Sequence, residues 1–149
     1  GKAEEVYGYP AAGRSGATLN GALEYLHERD PKRFPSISKS DYPILNVVTD
    51  VHYRGKTGRS EGTQAEVRRP ENLRRVRDHL RGRRTVLALG RLAQLAVKES
   101  GFEGEVAENC HPSIRSLNMK YRSDRKTPAG RMSHRVRQFA KDILAQLKG

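Results

Sequence analysis

Two short apolar segments, separated by a helical pattern, constrain the fold of this chain most strongly. TVLALG (85–90) is a compact apolar run that ends in glycine, and VAENC (106–110) is a second short run. RLAQLAVKES (91–100) lies between them and has the apolar spacing of a short helix. Strands that alternate with helices are typical of α/β sandwiches built on a parallel sheet. The pattern therefore predicts a strand, a helix and a second strand over 85–110.

The rest of the chain predicts three further helices and one more strand. Ser15 is the expected N-cap of a helix over 16–29, and PENLRRVRDHL (70–80) opens with Pro and Glu, as helices do. A last helix over 131–147 places its apolar side chains on one stripe. YPILNVVT (42–49) is apolar and β-branched, which predicts a buried strand. We therefore expect one domain, an α/β three-layer sandwich with a short parallel central sheet flanked by helices.

Three polar segments without periodicity, 1–14, 50–68 and 122–130, are predicted to be loops. The segment 50–68 contains RGKTG, which resembles part of a phosphate-binding loop. That motif requires a glycine where this chain has Asp50, and a helix directly afterwards, which the sequence does not indicate. A solvated basic loop that touches phosphate is the simpler interpretation.

The charge balance indicates a polyanionic partner. The 149 residues include 29 Lys and Arg against 17 Asp and Glu, which gives a formal net charge of +12 and a pI near 10.3. Charge of this kind can simply keep a protein soluble, but an excess this large in one small domain favours binding to nucleic acid. Nucleic acid is therefore the first candidate for the partner.

Composition also excludes several kinds of site. Cys110 is the only cysteine, which excludes an internal disulfide and any cysteine-based zinc or iron–sulfur site. His27 and His79 lie in charge-rich helices and are expected at the surface, and no pair of histidines has metal-ligand spacing. We therefore expect neither a metal nor a cofactor. No apolar run approaches the ~20 residues of a membrane span, and the N-terminal GKAEEVYGYP lacks a signal-peptide core, so the sequence predicts a soluble intracellular protein.

Two polar residues at predicted strand ends are the candidates for a site. Asn46 interrupts the apolar run ILNVV, where its amide either bonds a neighbouring loop or reads the edge of a bound base. His111 either fixes a turn after its strand or faces a ligand. Asn46, Gly90 and His111 all lie at or near the ends of predicted strands, and ligands of parallel α/β sheets bind at the carboxyl ends of the strands. Their common position indicates one site.

Four segments resemble the uracil-DNA glycosylase superfamily, in the order that the family has them. GKAEEVYGYPAAGRSGATLNGAL (1–23) is similar to the segment after the first catalytic motif in the thermostable bacterial and archaeal branch. ILNVV resembles the strand with the uracil-reading asparagine, and TVLALGRLAQ resembles the core strand and its helix. CHPSIRSLN (110–118) resembles the second catalytic motif, H-P-S, and its DNA-intercalating loop. The resemblance covers nearly the whole chain.

The resemblance implies that the protein flips a base out of DNA and hydrolyses its N-glycosidic bond. His111 would be catalytic and would stabilise the negative charge that develops on uracil O2. Asn46 would select uracil through its pyrimidine edge, with Pro10 and Ala11 in the wall of the pocket. The expected DNA contacts are the wedge loop and a set of phosphate-binding cations, namely Ser113, Ile114, Arg115, Leu117, Arg54, Lys56, Arg59 and Arg91.

The chain also departs from the family pattern. Ala11 stands where the branch has a phenylalanine that stacks on uracil, and Arg14 stands where a related branch has an aspartate. The four cluster cysteines of the branch are absent from the sequence. The pattern places the water-directing acid, and the first central strand that carries it, before Gly1. We expect a monomer associated with the nucleoid in the cytoplasm.

Two other functions remain open from the sequence. The chain could be an inactive member of the superfamily that binds uracil or a modified base in DNA. It could also be a generic basic α/β protein that binds nucleic acid without base flipping.

Overall fold

A short parallel sheet lies at the centre of the fold. The computed structural model describes residues 14–45, 47 and 64–147. Within them, strand β1 (Thr85–Leu89) pairs in parallel with strand β2 (Glu105–Asn109), in register from the first residue of each to the last. Parallel neighbours need a crossover connection, and here a helix between the strands provides it.

Six α-helices surround this sheet in the described ranges, and each is numbered in chain order. A single 3-10 turn, Lys39–Asp41, follows the first of them. The α-helices are α1 (Arg14–Arg29), α2 (Gln64–Val67), α3 (Pro70–Leu80), α4 (Arg91–Ser100), α5 (Ile114–Lys120) and α6 (Pro128–Gln146).

The two faces of the sheet support separate cores, because successive side chains of a strand point to opposite faces. Leu87, Leu89 and Ala107 contribute to a core with α1, α5 and α6, whose largest buried side chains include Phe139 and Leu26. The opposite core contains Val86, Ala88 and Val106 from the sheet, and side chains from α2, α3 and α4. These two helical layers on a parallel sheet confirm the predicted three-layer α/β sandwich.

An ion-pair cluster fixes the amino end of β2. Arg33, in the loop after α1, donates through Nε and Nη2 to the two carboxylate oxygens of Glu105, at 2.9 and 2.7 Å. Its Nη1 donates to Asp30 at 2.8 Å, and Thr85 Oγ1 donates to Glu105 at 2.7 Å. The hydrogen bonds from Arg33 and Thr85 lower the pKa of Glu105 to about 2. A two-pronged guanidinium–carboxylate contact of this kind is both directional and strong.

Several boundaries match the sequence predictions, and others differ. The predicted helices over 70–80 and 91–100 are confirmed at both ends. The first helix already includes Ser15, so the expected N-cap is wrong. The last helix begins at Pro128, where Thr127 caps it by accepting from the N–H of Gly130 at 3.0 Å. A threonine followed by proline is a favourable helix start. The threonine oxygen accepts from a free N–H of the first turn, and the proline ring fixes φ at the first helical position.

The predicted strand over 42–49 is wrong for the residues that the structure describes there, 42–45 and 47. None of them is in a strand. The phenol of Tyr42 instead donates to the carbonyl of Ser36 at 2.6 Å, and Leu45 and Val47 pack against the core that α3 and α4 share. A short apolar run predicts burial more securely than it predicts a strand.

Candidate nucleic-acid interface

Gly90 and His111 lie next to each other where the carboxyl ends of β1 and β2 meet. The N–H of Gly90 donates to the carbonyl of Asn109 at 2.9 Å, which extends the pairing by one residue. Gly90 has a φ of +99°, a conformation that L side chains rarely adopt. A Cβ built on Gly90 would lie 3.7 Å from Cβ of His111, which is ordinary contact. The backbone conformation, more than the available space, therefore requires glycine at this position.

His111 is partly enclosed at this edge. The ring is half-buried, its Nε2 atom is enclosed, and the following Pro112 is fully buried. His111 thus lies two residues after the end of β2 and beside the turn that leads from β1 into α4. The structure places this predicted site residue where parallel α/β folds bind their ligands.

The residues after Pro112 form the start of α5, where the sequence predicted a loop. Ser113 is the N-cap, and its Oγ accepts from the N–H of Ser116 at 3.1 Å and lies 2.9 Å from Oγ of Ser116. Ile114 is half-buried and Arg115 is exposed. The hydroxyl of Ser113 is therefore committed to the helix cap, and Arg115 is the residue of this group that faces solvent.

Leu117 requires a correction. It was expected to enter the minor groove, but it is fully buried in the core formed by α1, α5 and α6. Two residues further on, Met119 has 78% of its surface exposed. The helical geometry of α5 turns Leu117 inward and Met119 outward, which a loop assignment could not anticipate.

Arg91 and Arg115 occupy equivalent positions in the two strand–helix units. Arg91 is the first residue of α4 after β1, and Arg115 is the second residue of α5 after β2. Both side chains are exposed. Because the strands are parallel neighbours, both cations lie at the edge that carries His111. The structure thus brings together three of the predicted site residues.

Asn109 is a buried residue at this edge whose hydrogen bonds connect several elements, and the sequence predictions missed it. Its main-chain carbonyl accepts from Gly90 and from Nε2 of Gln94, both at 2.9 Å. Its side-chain Nδ2 donates to the Tyr121 phenol at 3.0 Å and to the carbonyl of Phe139 at 3.1 Å. Its Oδ1 accepts from the N–H of Cys110 at 2.7 Å. One asparagine therefore ties β1, α4, α6 and the start of the His111 segment together.

Ionisable groups continue this network on the side of α6. The phenol of Tyr121 donates to Asp142 at 2.6 Å, and the Lys120 ammonium donates to Oδ1 of Asn109. Burial and the hydrogen bond to Asp142 raise the pKa of Tyr121. Burial also raises the pKa of the Cys110 thiol. The thiol consequently stays protonated at neutral pH and is a poor nucleophile.

The remaining predicted site residues lie outside the described residues: Asn46, Pro10, Ala11, Arg54, Lys56 and Arg59. The residue that follows Asn46 is described, however. The carbonyl of Val47 accepts from Nδ2 of Asn72 at 2.6 Å, and the same amide donates to the carbonyl of Val67 at 3.1 Å. Asn72 is buried on α3, so the chain next to Asn46 is tied to the core.

Neither a metal centre nor a membrane span is found in the described part of the chain. No group of three or more His, Cys, Asp or Glu side chains there could hold a metal ion. Within the same ranges, no helix combines the length and the apolar character needed to cross a bilayer. No protein-family model, curated protein or solved structure matches this chain.

Proposed function

We propose that this protein is a DNA glycosylase that flips uracil, or a related damaged base, out of DNA and hydrolyses its N-glycosidic bond. DNA would bind across the carboxyl edge of the sheet. His111 would act on the extruded base, Asn46 would select it, and Arg91 and Arg115 would hold phosphates on either side.

The position of His111 is the observation that supports this proposal best. His111 lies two residues after the end of β2, beside the Gly90 turn, and shares its edge of the sheet with two exposed arginines. Enzymes that act on a base within DNA must first extrude it, and the extruded base needs a recess bordered by phosphate-binding cations. His111 and the exposed Arg91 and Arg115, at one edge of the sheet, would supply the base contact and the phosphate-binding cations of such a site.

The chemistry that follows requires stabilisation of a leaving base. The bond between C1′ of the sugar and N1 of uracil breaks, and its electron pair moves into the base, where charge accumulates on O2. A hydrogen bond from His111 to O2 would stabilise that charge as it develops, which is commonly the largest catalytic contribution. Water then adds to the oxocarbenium-like C1′ and loses a proton. The products are free uracil and an abasic sugar.

A second candidate is a domain that binds uracil-containing DNA without hydrolysing it. Ala11 in the sequence favours it, because a methyl group cannot stack on a pyrimidine as the family's phenylalanine does. Weaker stacking would leave the flipped base less firmly oriented for bond cleavage.

Matched oligonucleotides separate these functions. One duplex carries a single uracil and the other carries thymine at the same position, each also offered as a single strand. Strand scission after alkali, only in the uracil substrate, supports the glycosylase. Selective binding without scission supports the second candidate. Equal binding to both, without scission, would reject both functions.

A further inference from the structure

The outward face of α5 presents an apolar side chain among polar ones. Arg115, Asn118 and Met119 are spaced three and four residues apart, so they share one helical stripe, and all three are exposed. Met119, at 78% exposure, is one of two large hydrophobic residues exposed in the described ranges, with Ile37 at 53%. This stripe starts four residues after His111 and leads away from it.

The segment that follows α5 is held against α6 by hydrogen bonds to its main chain. Side chains of α6 donate to four main-chain carbonyls of the segment 121–126. These bonds order the segment and do not involve its own Lys and Arg side chains. The bonds run from Arg135 to Tyr121 O at 3.0 Å, from Gln138 to Arg122 O at 3.0 Å, and from Arg131 to Arg125 O and Lys126 O at 3.2 and 3.3 Å.

The cations of this segment remain available to a ligand. Residues 120–141 contain eight Lys or Arg and a single acidic residue, Asp124, so they carry seven of the twelve net positive charges of the chain. Arg122, Arg125 and Lys126 are exposed. Arg125 pairs with Asp124 at 3.3 Å, but both side chains are largely exposed, and such pairs contribute little. For Arg122 and Lys126 the described residues include no acidic partner within ion-pair distance.

We infer that Met119, Arg122, Arg125 and Lys126 form a second DNA-contacting surface, which adjoins Arg115 and is here called the basic surface. The cations bind phosphates, and Met119 makes the apolar contact with base or sugar that was expected of Leu117. An exposed thioether among cations fits DNA better than a uniformly anionic polymer, because DNA offers apolar groups between its phosphates. The inference rests on the proposed function only for its partner, DNA.

Salt dependence tests the phosphate contacts. The triple variant Arg122→Gln, Arg125→Gln, Lys126→Gln removes three charges, while the carbonyls that hold the segment remain. Each lost phosphate contact lowers the slope of log K against log salt by about 0.9, so between 50 and 200 mM salt the affinity of the wild type for undamaged duplex should fall about 40-fold more than that of the variant.

The matched control is the triple variant Arg74→Gln, Arg83→Gln, Arg84→Gln. These three arginines are also exposed. Arg74 lies on α3, and Arg83 and Arg84 directly precede β1, at the edge of the sheet opposite to His111. The control should keep the wild-type slope. Equal losses in both triples, or an unchanged slope in the first, would overturn the inference. In the wild-type protein, bound DNA should protect Lys126 from acetylation but leave the exposed Lys32 reactive, and equal protection would also overturn it.

Met119→Ala tests the apolar contact. We expect about tenfold weaker binding to duplex DNA with an unchanged salt slope, and no change in binding to heparin, which has no bases. Ile37→Ala is the control and should bind like the wild type. An equal loss for heparin, or no loss for DNA, would refute the role of Met119. All of these measurements use undamaged DNA, so they stand even if uracil is not excised, and uracil excision can be observed even if they fail.

Discussion

His111 takes its position from the main chain on both sides of it. Gly90 provides the left-handed turn that it packs against, Pro112 is buried behind it, and Asn109 anchors the residue before it. The main chain that carries His111 is therefore held by buried neighbours on both sides, as a preorganised side chain would require.

We expect His111→Ala to lower the rate of uracil excision by about 10²–10³-fold, the usual effect of removing a group that stabilises developing charge. Affinity for uracil DNA should stay within about twofold, because phosphate contacts supply most of it. Single-turnover kinetics and fluorescence anisotropy measure the two quantities. A parallel loss of affinity would instead indicate a structural role. Asn46→Ala should instead abolish base selectivity, so that uracil and cytosine DNA bind alike, and should leave the overall affinity for DNA nearly intact.

Single residues were predictable from the sequence where their position depends on the strand ends. An apolar run precedes His111, and the helices that begin near Arg91 and Arg115 follow such runs. Parallel topology places residues in these positions at one edge of the sheet. Asn109 was not predictable in this way, since its partners Tyr121 and Phe139 are 12 and 30 residues distant in sequence. His27 and His79, which were expected at the surface, are both half-buried, and Nδ1 of His27 bonds to the Phe34 carbonyl at 2.6 Å.

At the scale of elements, the helical form of α5 decides which of its side chains are buried and which are exposed. Leu117→Ala should reduce the free energy of unfolding by about 2–5 kcal/mol, because it leaves a cavity beside α1 and α6. The same change at the exposed Met119 should have little effect on stability. Urea denaturation followed by circular dichroism measures both. A stable Leu117→Ala protein with weakened DNA binding would restore Leu117 as the wedge.

The strands and helices that the sequence predicted correctly are those in which the apolar period extends over two turns or an entire buried strand. Helix α5 is shorter, and its Ser-Ile-Arg-Ser start is equally compatible with a loop, so tertiary burial of Leu117 selects the helix. The segment 42–45 shows the converse effect. It satisfies burial by packing Leu45 on a core and bonding Tyr42 to Ser36, without sheet pairing.

At the scale of the molecule, the ion-pair cluster around Glu105 makes the stability of the fold depend on pH. The bonds from Arg33 and Thr85 lower the pKa of Glu105 from 4.5 to about 2, so the folded state favours the ionised carboxyl. This contribution is complete above pH 4.5 and is lost as the pH falls towards 2. We expect Glu105→Gln to lower Tm at neutral pH, and the difference from the wild type to vanish near pH 2. A difference in Tm that does not depend on pH would exclude the linkage.

The three-layer architecture followed from the alternation of strands and helices, since each strand must bury both faces. The assignment of helices to layers did not follow from it. Helix α6 packs with α1, more than 100 residues earlier in the chain, on the face opposite to α3 and α4. Such long-range pairing depends on the shape of both cores rather than on any local period.

The exposure of Met119 also has a chemical consequence. A thioether at the surface is open to oxidants, whereas Met132, the only other methionine, is half-buried and packs against a core. Mild peroxide should therefore convert Met119 to the sulfoxide first, as peptide mass spectrometry would detect. The sulfoxide is polar, so oxidation should remove the contribution of the Met119 contact to the affinity for DNA. Methionine sulfoxide reductase should restore that affinity. DNA binding by this protein would then report the oxidative state of its surroundings.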